Sequence, residues 1–91
     1  MTIRVNLVIR GHVQGVFYRA SACDQARKLN ISGYVRNLAD GSVNAVAEGK
    51  SKDIQHFINW CKIGPENANV KEVSVTSEPV TNLKTGFQII S

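Results

Sequence analysis

The stretch Gly11-His12-Val13-Gln14-Gly15-Val16-Phe17-Tyr18-Arg19 decides the fold, because it joins a strand-like segment to a helix-like one. Apolar residues alternate with polar ones before it, as in a half-buried strand: Ile3, Val5, Leu7 and Ile9. A loop with glycines between a strand and a helix lets backbone N–H groups converge on an anion. Arg19 ends the loop with a planar, permanently charged guanidinium group suited to phosphate. We therefore predict a binding site for a phosphate-type oxyanion.

Length, charge and cysteine content narrow the class of protein. The chain has 91 residues, enough for one domain, and its net charge of +4 exerts a mild attraction on anions. Lys and Arg are scattered, so a nucleic-acid surface is not expected. Arg4 and Asn6 interrupt the N-terminal apolar pattern, which excludes a signal peptide, and no apolar run reaches membrane-spanning length. We expect a cytoplasmic protein with Cys23 and Cys61 as reduced, buried thiols.

Periodicity and turn residues predict the order β-α-β-β-α-β with a short terminal strand. The predicted strands cover 2–10, 31–38, the residues after Gly41 up to 48, 70–77, and a last short strand at 87–89. The predicted helices cover 19–30 and the segment from Ser51, as N-cap, to Gly64-Pro65. This order predicts an α+β fold of the ferredoxin-like, split βαβ type, with two helices on one face of an antiparallel sheet.

The predicted topology has a consequence for the loop. A right-handed crossover makes the first two strands parallel, with the third strand between them. Three element ends then meet at one edge of the sheet: the end of the first strand, the start of the first helix and the end of the second strand. We therefore expect Asn37, at the end of the second strand, to face the Gly11–Arg19 loop.

Two segments in this order resemble the two signatures of the acylphosphatase family. The first is Gly11-x-Val13-Gln14-Gly15-Val16-x-x-Arg19, and the second is Gly33-Tyr34-Val35-Arg36-Asn37-x-x-x-Gly41-x-Val43, ending at Gly49. The segment Trp60-Cys61-Lys62-x-Gly64-Pro65 also resembles that family. The resemblance covers nearly the whole chain, so 1–91 is expected to be a single acylphosphatase-like domain of the small, stand-alone bacterial type.

The resemblance implies hydrolysis of carboxyl-phosphate anhydrides to a carboxylate and inorganic phosphate, without a metal or other cofactor. It implies that Arg19 binds phosphate and that Asn37 holds the attacking water. The phosphate-binding loop would comprise Gln14, Gly15, Val16, Phe17, Tyr18 and Arg19. From their apolar character, we expect Val13, Val16 and Phe17 to anchor this loop to the core. The expected partners are a small acyl phosphate substrate and inorganic phosphate as product and inhibitor, with no nucleic acid and no membrane.

The residues themselves agree with a mechanism that uses neither a covalent intermediate nor a metal. A covalent mechanism needs a nucleophile placed beside a base or metal, and Cys23 lies past the loop on the predicted core face of the helix. No Asp or Glu occurs in the loop, and no His/Asp/Glu spacing indicates a metal site. A carboxylate is a good leaving group, so no strong general acid is required, and phosphoryl transfer then depends on positioning and charge.

Other interpretations remain open from the sequence. Taken alone, Arg19 could be a solvated charge at a helix start, and Asn37 an ordinary residue near a turn. The domain could bind phosphate as a regulatory module without catalysis. RNA binding is disfavoured, because the positions of the third strand expected to lie away from the core, Asn44, Val46 and Glu48, offer no aromatic platform for bases. A monomer is expected, and the physiological acyl group is left undetermined.

Overall fold

The computed structural model describes residues 1–91, and in it two helices and five strands follow one another in the order βαββαββ. The strands are β1 (Thr2–His12), β2 (Ser32–Asn37), β3 (Val43–Lys50), β4 (Asn69–Glu78) and β5 (Phe87–Ile89). The helices are α1 (Tyr18–Lys28) and α2 (Ser51–Ile63). The predicted element order is therefore confirmed, including the short last strand.

The strands form one mixed sheet in the order β4-β1-β3-β2-β5. β3 pairs antiparallel with both β1 and β2, so β1 and β2 run parallel to each other across it, as predicted. β5 adds to the edge of β2 in a parallel register, with Phe87 opposite Gly33 and Ile89 opposite Val35. Both helices pack on one face, which gives the ferredoxin-like α+β arrangement.

The core lies between that face of the sheet and the two helices. The odd-numbered residues of β1 point into it, and Val5, Leu7 and Ile9 are all buried. α2 contributes Ile54 and Phe57, and the Phe57 ring meets Phe87 of β5 edge to face at 5.7 Å. Burial of such side chains is the main favourable term for a domain of this size. Neither α1 nor α2 has the length and apolar character of a membrane-spanning helix.

Several element ends differ from the predicted ones. β1 continues past Arg10, because a bulge at Gly11 lets the strand pair onward with β4. α1 ends at Lys28 rather than at residue 30, and Asn30 adopts a left-handed conformation with φ 55°. β3 continues through Gly49 to Lys50, since its backbone still pairs with the first residues of β1. These extensions depend on a partner strand, which local sequence does not show.

The start of α2 is also one residue earlier than predicted. Ser51 is its first helical residue, and the N-cap is Lys50, whose backbone is extended and which offers no side-chain cap. The Ser51 N–H instead donates to the backbone carbonyl of Met1 at 2.8 Å. A tertiary contact thus replaces the local cap that the serine predicted.

The face of the sheet away from the helices is covered by side chains along its central strand. Asn44, Val46 and Glu48 lie outside the hydrophobic core cluster, as expected, but all three are buried. Asn44 accepts from the Arg36 guanidinium at 3.1 Å and donates to the backbone carbonyl of Leu7 at 2.9 Å. β3 is the central strand, so long polar side chains of both neighbouring strands cover it.

Candidate active site

The loop between β1 and α1 contains two residues in the left-handed conformation just before the helix begins. Gly15 has φ 76°, and Phe17, the residue before α1, has φ 65°. α1 has neither a side-chain cap nor an acidic residue in its first turn. The first N–H groups of a helix have no helical acceptor, and without a side-chain cap those of α1 stay available at the positive end of the helix dipole. The predicted loop and helix start together form a place where a negative charge is stabilised.

The loop is held to the core by three buried side chains, Val13, Val16 and Tyr18. The Tyr18 hydroxyl donates to the backbone carbonyl of Cys61 at 2.7 Å, and its ring lies 5.4 Å from the Trp60 ring. Burial raises the pKa of Tyr18 above its ordinary value, and burial raises the pKa of the Cys61 thiol to about 12. Both groups are thus neutral at pH 7 and serve packing.

Phe17 does not anchor the loop, contrary to the sequence-based expectation. Its side chain is 78% exposed, whereas the neighbouring Tyr18 is fully buried. The left-handed backbone of Phe17 turns its side chain outward just before α1 begins. Local hydrophobicity does not reveal this, because either aromatic residue could fill the core position.

Arg19, Gly15 and Asn37 line one cleft of about 330 Å³. Arg19 enters it from the first turn of α1 and Asn37 from the end of β2, the edge at which the topology predicted that they would meet. The other lining residues are Val13, Phe17, Tyr18, Ala20 and Ile89. Arg19 takes part in no ion pair within the chain. Its charge is therefore left for an anion in the cleft.

The side chain of Asn37 has an unusual environment. Its Oδ1 atom is buried, and no hydrogen-bond donor of the chain reaches it. Such an acceptor costs roughly 1–3 kcal/mol, so an unpaired one at the wall of a cleft calls for an explanation. An amide oxygen is not basic enough to take a proton, but it can accept a hydrogen bond from a water molecule and so orient that water.

Gln14 and Val16 belong to the predicted loop, but their side chains do not line the cleft. Val16 is buried. The Gln14 amide Nε2 donates at 2.8 Å to two carbonyl oxygens, those of Leu38 and Ser42 in the β2–β3 connection. Gln14 thus joins the loop that carries Arg19 to the hairpin that follows Asn37. We name this pair of hydrogen bonds the Gln14 clamp.

The β2–β3 connection has its own local support. Asp40 accepts hydrogen bonds from the hydroxyl and from the backbone N–H of Ser42, and these bonds lower the pKa of Asp40. Gly41 has φ 93°, a positive value that glycine adopts readily in a turn. The hairpin therefore presents a defined pair of carbonyls to the Gln14 clamp.

The cleft holds few kinds of reactive group. None of its lining residues is Asp, Glu, His or Cys, and the chain contains no cluster of three such residues that could hold a metal ion. Cys23 is buried against the Phe87 carbonyl. The arrangement can bind a dianion through one guanidinium and backbone N–H groups, and can place a neutral nucleophile beside it.

A larger groove of about 660 Å³ lies at the opposite end of the sheet, beside Thr2, Lys50 and Asn82. It contains neither Arg19 nor Asn37, and its buried carboxylate, Glu48, already accepts hydrogen bonds from Thr81, Asn82 and Arg4. The smaller cleft is the better candidate, because Arg19 has no ion-pair partner and the Asn37 Oδ1 atom has no hydrogen-bond donor. Sequence reasoning did not assign Ile89 to the site, since only the pairing of β5 with β2 brings it there.

The chain resembles known proteins along nearly its whole length. The family model described as acylphosphatase matches residues 5–89. An acylphosphatase of Roseiflexus sp. is 47% identical over 96% of this chain and 94% of its own, and one of Marinobacter nauticus is 47% identical over 97% of both chains. The crystal structure of acylphosphatase from Bacillus subtilis superposes with a TM-score of 0.93, at 31% identity and covering 100% of both chains.

Proposed function

Because the chain belongs to the acylphosphatase family and so hydrolyses acyl phosphates, we propose that Arg19 and the loop hold the phosphate while Asn37 places the attacking water. Water oxygen bonds to phosphorus as the bond between phosphorus and the bridging oxygen breaks. The carboxylate leaves with the electron pair of that bond. The water proton passes to a non-bridging phosphate oxygen, so the products are a carboxylate and inorganic phosphate.

The role of Arg19 is supported by its position and its lack of an internal partner. It is the only charged residue that lines the cleft, and it stands in the first turn of α1. The helix dipole and the free N–H groups add to its field. A loose phosphoryl-transfer transition state spreads negative charge over the non-bridging oxygens, and fixed donors around them are the main source of catalysis.

The unpaired Oδ1 of Asn37 carries the assignment of the water site. A water that donates one hydrogen to this oxygen turns a lone pair away from the amide, toward a phosphate held by Arg19. Holding the two reactants in this way removes much of the entropic cost of their encounter. No base is needed, because the substrate oxygen accepts the proton and the leaving carboxylate is stable.

The test is steady-state hydrolysis of benzoyl phosphate by the purified chain. We expect turnover, competitive inhibition by inorganic phosphate, and the same rate after treatment with EDTA. Phosphate binding without any turnover would instead support the regulatory, non-catalytic alternative. A rate that EDTA abolishes and added Mg²⁺ restores would contradict the metal-free mechanism.

We also propose that the enzyme acts as a monomer in the cytoplasm. Both cysteines are free and buried, which suits a reducing compartment. The exposed large apolar side chains are distributed over several elements, among them α2 (Ile63), β4 (Val75) and β5 (Ile89). Light scattering during gel filtration measures whether the protein is a monomer, and cell fractionation shows whether it is in the cytoplasm.

A further inference from the structure

Two exposed apolar side chains stand at the mouth of the catalytic cleft. Phe17 is 78% exposed and Ile89 is 45% exposed, yet both line the cleft that contains Arg19 and Asn37. They come from distant parts of the chain, the loop before α1 and the terminal strand β5. Neither is needed to fill the core, which the buried Tyr18 and Phe87 already do.

The backbone of Phe17 is strained in a way that favours this exposure. A phenylalanine at φ 65° is uncommon, because its Cβ crowds the backbone there. Strained residues of this kind cluster at functional sites. The left-handed conformation both shapes the anion cradle and directs an aromatic ring away from the core. A smaller polar residue, such as asparagine, would meet the backbone requirement with less strain.

Apart from Arg19 and Asn37, the wall of the cleft is largely apolar. Arg19 supplies its only charge and Asn37 its only side-chain amide, and most of the remaining wall is apolar, through Val13, Phe17 and Ile89. In the proposed mechanism, Arg19 binds the phosphate and Asn37 binds the attacking water. The apolar groups are left to face whatever is attached to the phosphate.

We propose that Phe17 and Ile89 form an acyl-group subsite that selects acyl phosphates with an apolar acyl group, aromatic or branched aliphatic, over small or charged ones. This inference rests on the proposed function, since it assumes that the phosphate binds beside Arg19. The acyl group does not react at these side chains. Its contact with them therefore stabilises the bound substrate and the transition state alike, and acts mainly through KM.

The experiment compares benzoyl phosphate with acetyl phosphate as substrates of the wild type and of Phe17→Ala, Phe17→Leu and Ile89→Ala. The wild type should prefer benzoyl phosphate through a lower KM. In Phe17→Ala, the kcat/KM for benzoyl phosphate divided by that for acetyl phosphate should fall about tenfold. This is at the low end of the effect of a lost apolar contact, because the cleft is open to solvent. Phe17→Leu should restore part of the preference, and Ile89→Ala should reduce it.

Ile63→Ala is the matched control for Ile89→Ala, because Ile63 is 73% exposed at the end of α2 and does not line the cleft. This variant should keep the wild-type preference. Equal losses for both substrates in the Phe17 and Ile89 variants, or an unchanged preference, would overturn the subsite. Hydrolysis of neither substrate by the wild type would contradict the proposed function itself.

Discussion

In the proposed mechanism, substrate binding and catalysis both depend on Arg19. Arg19→Ala should lower kcat/KM by about 10²–10³-fold and weaken competitive inhibition by phosphate, since it removes the only charge in the cleft. Arg19→Lys should recover only part of this loss, because an ammonium group lacks the planar fork of guanidinium. Steady-state kinetics with benzoyl phosphate measures both effects.

Arg10→Ala provides the control for net charge. Arg10 lies on the exposed surface, 3.5 Å from Glu72, and its removal lowers the charge of the protein by the same amount. The variant should keep its activity within about twofold, as expected for an exposed ion pair. Equal losses in the Arg10 and Arg19 variants would show that the general field, rather than a contact in the cleft, attracts the substrate.

Substitution of Asn37 should affect the catalytic rate without affecting phosphate binding or the stability of the fold. Asn37→Ala should lower kcat by about 10²-fold through loss of water positioning, while the inhibition constant of phosphate changes little. Because the variant also removes an unpaired buried oxygen, its unfolding free energy should stay within about 0.5 kcal/mol of the wild type or rise. Inhibition kinetics and urea unfolding check the two parts. A clear loss of stability would mean that Asn37 holds the fold instead.

Among the elements, the Gln14 clamp connects the two halves of the candidate site, and we expect it to keep them aligned. Gln14→Ala should raise KM and lower kcat together, because the loop with Arg19 is no longer tied to the hairpin after Asn37. Stability should fall by only about 1 kcal/mol, since both carbonyls keep backbone partners, the N–H groups of Gly41 and Leu38.

Gln14→Glu is the matched variant for the clamp. It keeps the length of the side chain, but an ionised carboxylate has no hydrogen to donate to the two carbonyls. It should therefore be at least as impaired as Gln14→Ala in the benzoyl phosphate assay. Wild-type kinetics in Gln14→Glu would show that the clamp does not position the site.

At the scale of the whole molecule, Glu48 joins the central strand to both ends of the chain. Burial raises its pKa, but hydrogen bonds from the Thr81 N–H and hydroxyl, the Asn82 N–H and Arg4 outweigh burial, so the pKa lies below its ordinary value of 4.5. Its bonds tie the β4–β5 connection across the end of the sheet. Because β5 carries Ile89 to the cleft, this carboxylate supports the site from a distance.

The stabilising effect of Glu48 should depend on pH in a defined direction. A lowered folded-state pKa means full stabilisation above pH 4.5 and its progressive loss as the pH falls through the folded value, where the native carboxylate takes up its proton. Glu48→Gln should thus cost about 2 kcal/mol at pH 7, and the difference from the wild type should shrink below pH 4.5. Urea unfolding from pH 3 to 7 measures this, and a constant difference would contradict it.

The sequence by itself determined the order of the elements, the helix-bearing face and the meeting of Arg19 with Asn37. Apolar periodicity distinguishes strand from helix, and a right-handed crossover leaves one arrangement of the first three strands. Periodicity describes a single segment, and the crossover rule relates segments that are close together in the chain. They placed Asn37 beside the loop because both positions are ends of adjacent elements.

Only the tertiary structure decided which aromatic side chain of the loop is buried, how Gln14 is used, and which residues form the outer cleft wall. Phe17 and Tyr18 are adjacent and equally suited to a core, and the choice followed from a left-handed backbone and a hydrogen bond to Cys61, 43 residues away. Ile89 reached the cleft through pairing of β5 with β2. The physical reason is that these outcomes depend on contacts between residues far apart in the chain, which local propensity and periodicity do not encode.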